Sequence, residues 1–256
     1  MVGNPANPNR VLVTGATGGF GRLFARMLEE RGHRLLLHGR DQARMDALLA
    51  ELARPADHAS VLADLADEAG VAALIRAARE HRVAGLVNNA GFGLWGRFPD
   101  VPAEGHADVL RVDLLAPVRL AHALLPAIRE ARGFIINVSS LAGVTPLPWL
   151  STYAAAKSGL TFWSEALRVE LAGAVRIVTL APGPSPTGFR AVSGMPERPG
   201  DFFRQSPETV VRAALAALDR GGGMVVPGWR HRLLRLLQTV TPTPLALRLM
   251  ERALRP

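Results

Sequence analysis

The chain of 256 residues has no cysteine, a single tyrosine and, although Lys and Arg together number 30, a single lysine. Without cysteine there can be no disulfide and no thiolate metal site, which fits a reducing cytoplasm, the expected location. Long apolar runs are also missing, none approaching the ~18–20 residues of a membrane span. Residues 1–10 are polar and rich in Pro and Asn, unlike the apolar core of a secretory signal. Basic residues do not interleave with aromatics, so the formal charge of +8 is read as a general use of arginine plus a basic tail, with no nucleic-acid partner. No metal is expected. What remains, 48% hydrophobic and 20% charged residues, suits one large globular α/β domain.

The lone tyrosine and the lone lysine stand four residues apart in Tyr153-Ala154-Ala155-Ala156-Lys157. On a helix this spacing puts both side chains on one face, one turn apart. An ammonium in that position is expected to favour the phenolate and lower the phenol pKa, as a general acid/base requires. Arginine, with its planar fork, is no substitute for that compact charge.

Around this turn the chain alternates short apolar runs with helical patterns. Val11-Leu12-Val13 breaks into Thr14-Gly15-Ala16-Thr17-Gly18-Gly19-Phe20-Gly21 ahead of a helix. Glycines between strand and helix let a backbone approach a pyrophosphate at a helix N-terminus. A second strand, Leu35 to Leu37, ends in His38-Gly39-Arg40-Asp41. In a dinucleotide fold an acid at this place reads the ribose 2′-OH and an arginine accommodates a 2′-phosphate, so Arg40 favours NADP(H) over NAD(H). The third strand ends in Asp64-Leu65 and the fourth runs into Asn88-Asn89-Ala90-Gly91. A helical stretch from Ala103 to Arg132 should be interrupted or bent near Pro117 and Pro126. Phe134 to Val138 opens into Ser139-Ser140, the Tyr153 helix follows to about Leu171, and Val175 to Leu180 turns out through Pro182-Gly183 to Thr187. The expected fold is a single doubly wound parallel sheet with helices on both faces, its polar clusters at the carboxyl ends of the strands.

These motifs, in register from Val11 to about Val226, resemble those of the short-chain dehydrogenase/reductase family. The resemblance implies a Rossmann-type catalytic domain over residues 1–228 that interconverts a carbonyl and a secondary alcohol with NADP(H). It implies a cofactor turn at Gly15, Thr17, Gly19, Phe20 and Gly21, Asp64 and Leu65 near the adenine, and Asn89, Ala90 and Gly91 as the motif after the fourth strand. Pro182, Gly183 and Thr187 fall on the nicotinamide side. Tyr153 then exchanges the proton, Lys157 holds the ribose and Ser140 positions the substrate oxygen. A homodimer or homotetramer is also implied. Where many members carry a relay asparagine, this chain has Asp113, an acceptor that as a carboxylate cannot donate. That departure motivates the competing reading, a non-catalytic NADPH-binding sensor or interaction protein.

Residues 184–207 form a Pro/Gly-rich segment, expected to be an irregular loop over the substrate. Its Phe189, Met195, Phe202 and Phe203, with Phe92, Leu94 and Trp95, suggest an apolar small-molecule pocket. Residues 229–256 read as a basic extension of two short amphipathic helices split at Thr241-Pro242-Thr243-Pro244. Peripheral membrane contact and packing of the leucines on the domain or an oligomer interface both remain open, the second favoured.

Overall fold

A computed structural model describes residues 10–196 and 204–254. In chain order the elements are β1 (Arg10–Val13), α1 (Gly19–Glu30), β2 (Arg34–Gly39), α2 (Gln42–Glu51), β3 (Ala59–Leu62), α3 (Glu68–Glu80), β4 (Val83–Asn88), α4 (Ala103–Leu110), α5 (Ala116–Glu130) and β5 (Phe134–Val138). They continue with α6 (Ser151–Glu170), β6 (Arg176–Leu180), α7 (Phe189–Ser193), α8 (Pro207–Asp219), β7 (Gly223–Val225), α9 (Trp229–Val240) and α10 (Thr243–Leu254). The strands form one sheet of order β3-β2-β1-β4-β5-β6-β7. All neighbouring pairs are parallel. The order reverses between β1 and β4, and a crevice opens at such a switch point.

Strands covered on both faces must be apolar along their length. Leu35 and Leu37 turn to the layer that includes Phe24 and Leu28 of α1 and Val211 and Leu215 of α8, while Leu36 turns to Leu74 of α3 and Leu120 and Leu124 of α5. Polar residues enter this core as a hydrogen-bonded chain. Asn88 Nδ2 donates to Asn137 Oδ1 at 2.8 Å, Asn137 Nδ2 donates to Ser164 Oγ at 2.9 Å, and Ser164 and Thr179 share a hydroxyl contact of 2.7 Å. This row ties the ends of β4, β5 and β6 to α6 and fixes where the loops beyond them begin.

Two expectations are corrected. Near Pro117 the helical stretch is interrupted, as expected, by a π turn at Arg111–Leu115. There Ala116 N–H reaches back five residues to Arg111 O, and Pro117 has no N–H to offer the Asp113 carbonyl. At Pro126 the helix runs on unbroken, since that residue is exposed and the carbonyl it leaves unbonded can take water. The second correction concerns residues 184–207, which are not wholly irregular, because α7 interrupts them between Gly188 and Gly194, both at positive φ.

Candidate active site

A cleft of about 850 Å³ follows the switch point. Gly15, Thr17, Gly19 and Phe20 border its middle, beside the α1 N-terminus, and Arg40, Asp64 and Leu65 its outer end. Asn89, Ala90 and Gly91 form its floor, while Ser140, Tyr153, Lys157, Pro182, Gly183 and Thr187 close the other end. Gly21 and Asp113 do not reach the cleft surface. Gly21 lies beneath the turn, where a side chain would meet Gly15 O at 2.1 Å. Asp113 is fully buried behind Lys157.

The turn is held from below. Thr14 Oγ1 accepts from the N–H groups of Asn89 and Ala90, and Asn89 Nδ2 donates to the carbonyls of Thr14 and Gly15. No side chain caps the α1 N-terminus and no acid stands in its first turn, so a positive helix end faces the cleft. That arrangement fits the pyrophosphate of a dinucleotide. Sequence reasoning missed His38, which braces the same turn. Its Nδ1 accepts from Gly15 N–H at 3.2 Å and its Nε2–H donates to Ala63 O at 3.0 Å. Both bonds suit the neutral ring, and burial holds its pKa below the ordinary histidine value. The unfolded chain takes up this proton near the reference pKa of about 6.5, so the stability His38 contributes is present above that pH and is lost as pH falls. Urea unfolding above and below about pH 6.5 should show a steeper acid loss in the wild type than in His38→Gln, and equal slopes would refute this role.

At the outer end Arg40 Nη1 meets Asp64 Oδ2 at 3.2 Å, and Asp64 Oδ1 also accepts from Ala66 N–H. Partial burial pushes the Asp64 carboxyl up, but these two donors outweigh it and hold the acid below its ordinary value. Arg44, also missed, borders the cleft from α2 and donates to Thr17 O at 3.2 Å. Asp41 caps α2 by accepting from Arg44 N–H, which turns the first helical turn, and Arg44 with it, toward the glycine turn.

At the chemical end, Lys157 is 4% exposed. Its Nζ donates to Val138 O at 3.0 Å, lies 3.1 Å from Asp113 Oδ2 and stands 5.8 Å from the Tyr153 ring centroid. Asp113 Oδ1 accepts from Phe92 N–H at 2.9 Å. Burial raises the Asp113 pKa and Lys157 opposes the rise. Gly91 makes room for the pair, since a side chain there would sit 2.9 Å from Asp113 Oδ2 and 3.1 Å from Lys157 Nζ. The expectation that Lys157 lowers the Tyr153 pKa is not met in this arrangement. Burial and the Asp113 carboxylate push the phenol above its ordinary value, and the Ser140 hydroxyl offsets them only in part. The ammonium is met by Asp113, so little of its field is left for the phenol. Ser140 Oγ also accepts from Ala142 N–H at 3.1 Å, which leaves its own proton for the Tyr153 oxygen.

Apolar residues surround the tyrosine. Phe189 of α7 lies against it with ring centroids 5.0 Å apart, and Phe92 and Met195 also border the cleft. Trp95 instead ties the chain to α7 through its backbone N–H on Ser193 O, and Leu94 packs under Gly105 of α4. Phe202 and Phe203 lie outside the described residues. Leu234 and Gln238 of α9 and Met250 of α10 complete the wall. The period of His231, Leu234 and Gln238 was the available signal for the α9 pair. Among the described residues no group of acids and histidines could hold a metal.

Comparison with known proteins agrees with this geometry. The family model for short chain dehydrogenases matches residues 9–196. Sulfoacetaldehyde reductase 2 of Chromohalobacter salexigens is 38% identical over 71% of this chain and 75% of its own length. A short-chain dehydrogenase from Sphingobium yanoikuyae in complex with NADPH superposes with a TM-score of 0.79 at 32% identity, covering 89% of this chain and 92% of its own. A short chain dehydrogenase/reductase from Burkholderia phymatum in complex with NAD gives 0.78 at 25%, covering 90% and 92%. The chain belongs to the short-chain dehydrogenase/reductase family, and it is an oxidoreductase of that family using a nicotinamide dinucleotide.

Proposed function

We propose that the enzyme interconverts a carbonyl and a secondary alcohol with NADP(H), Tyr153 exchanging the proton. The observation that carries this reading is the gathering of Ser140, Tyr153 and Lys157 on one wall of the cleft that the glycine turn also borders. When bound, the nicotinamide supplies or accepts the hydride. The chain supplies the rest: Ser140 polarises the substrate oxygen, Tyr153 gives it a proton during reduction, and Lys157 holds the ribose. A phenol kept protonated by burial and Asp113 suits the donor role, hence reduction near neutral pH.

NADP(H) over NAD(H) is supported by two arginines at the ribose end. Arg40 leaves 66% of its side chain exposed beside Asp64, and Arg44 borders the same end. Each charge-assisted bond to a 2′-phosphate contributes about 1.5–3 kcal/mol. Titration of NADPH and NADH into wild type and Arg40→Ala/Arg44→Ala tests this. NADPH should bind the double variant about 10–100-fold more weakly while NADH changes little. Equal losses for the two nucleotides would remove the preference.

The substrate is proposed to be apolar, because Phe189, Met195, Leu150 and Val192 line the cleft at the tyrosine end. The relative named for sulfoacetaldehyde points to a charged substrate for that protein. A panel of ketones and aldehydes graded in hydrophobicity decides between them, and fastest turnover of small anionic carbonyls would set the apolar reading aside.

A further inference from the structure

The helix α9 is amphipathic, but it is turned inside out relative to an ordinary surface helix. Its inward side carries His231, Leu234 and Gln238. His231 is 3% exposed and lies so close to Gly183 that a side chain there would meet the ring at 2.1 Å. Leu234 packs on the cluster of Leu141, Ala181 and Val226. The outward side carries Trp229, Leu233, Leu236, Leu237 and Val240, from 48% to 68% exposed. The spacing i, i+4, i+7, i+8, i+11 places these five on one stripe about 100° wide, opposite the residues that anchor the helix. Next in the chain, α10 adds Leu245 and Leu249, one turn apart and each 50% exposed, while Ala246 is buried.

What would cover such a stripe is indicated by its borders. Arg232, Arg248 and Arg252 are exposed on the same two helices, and Glu251 is the only acid from residue 229 to the end of the chain. Arg230 stacks over the Trp229 ring at 5.4 Å, an aromatic and a cation side by side at the stripe's start. An apolar strip edged by arginines matches the layering of an anionic bilayer surface. Leucines enter the acyl boundary, arginine stems lie along it, and guanidinium forks reach lipid phosphates. A second copy of the chain is a poorer occupant, since a two-fold contact through this face would bring arginines against arginines with one acid per subunit to relieve them. Among the described residues no helix is long and apolar enough to cross a membrane, so the contact is one of helices lying in the interface.

We propose that α9 and α10 dock the enzyme on anionic lipid through the Trp229–Val240 stripe and its flanking arginines. Leu234, Gln238 and Met250 of the same two helices line the cleft, so the docked helices are also part of the cleft wall. The docking itself requires nothing of the substrate assignment.

Vesicle flotation of the full chain tests it, with phosphatidylcholine alone against equal parts phosphatidylglycerol and phosphatidylcholine. The protein should float with the anionic vesicles, remain below with the neutral ones, and lose binding in high salt as screening requires. Leu233→Ser/Leu236→Ser/Leu237→Ser should weaken flotation at least about tenfold, as should Arg232→Glu/Arg248→Glu/Arg252→Glu, with NADPH binding unchanged as the sign of an intact fold. No flotation of the wild type, or flotation indifferent to the leucine changes, overturns the proposal. So does a change from dimer to monomer in gel filtration of the leucine variant when the wild type binds no vesicle, which would assign the stripe to a subunit interface.

Discussion

Tyr153→Phe is expected to lower the rate of carbonyl reduction by about 10²–10⁴-fold while leaving NADPH affinity within about twofold. The substitution keeps the ring, and with it the packing on Phe189 at 5.0 Å and the approach of Lys157 at 5.8 Å. Only the hydroxyl is lost. In the proposed reaction that group is the acid at the substrate oxygen, and its proton is in place at neutral pH because burial and Asp113 hold the phenol pKa above its ordinary value. The loss should fall on kcat and on kcat/KM alike, as for an interaction made in the transition state. Retained turnover would move the proton donor elsewhere, to water or Ser140. Loss of NADPH binding alongside turnover would mean that the ring had shifted and that the variant reports on structure.

Much of this site is written in short-range spacing. Tyr153 and Lys157 share a helix face because four residues make roughly one turn, and the glycine turn is flanked by a strand and a helix that need no tertiary information to be seen. Strand alternation with helices likewise implies the parallel sheet, since parallel neighbours need crossovers. Contacts between distant segments are another matter. Asp113 and Lys157 are 44 residues apart, and their 3.1 Å meeting depends on a π turn and on the absence of a side chain at Gly91. Neither is visible in a periodicity, which reports only neighbours three and four apart. Arg44 was hidden for a similar reason, as one arginine among many on a helix whose orientation is set by the Asp41 cap. In the tail, periodicity shows that the leucines of α9 form a stripe, but it does not say which side of the helix faces the protein. His231 and its fit against Gly183 decide that.

The Asp113–Lys157 pair gives the second large effect. Removing one member of a buried ion pair leaves the other uncompensated, at a cost of about 3–5 kcal/mol, so Asp113→Ala should lower the unfolding free energy by that amount. Asp113→Asn is the more informative change. The amide keeps an oxygen for Phe92 N–H and another polar atom beside Lys157, so the fold should survive with a smaller loss. What it removes is a negative charge that disfavours the phenolate. The Tyr153 pKa should then fall, both because the carboxylate is gone and because the Lys157 ammonium, no longer neutralised, acts on the phenol. In the proposed mechanism alcohol oxidation requires the deprotonated tyrosine, so its rate should begin to rise at lower pH in Asp113→Asn. A profile of kcat/KM against pH with NADP⁺ and a secondary alcohol reads this directly. An unmoved or alkaline-shifted limb would show that the carboxylate does not act on the phenol, leaving Asp113 a structural partner of Lys157 and Phe92. An acid shift would mean that this chain's aspartate biases the tyrosine toward holding its proton, and so favours reduction over oxidation at neutral pH.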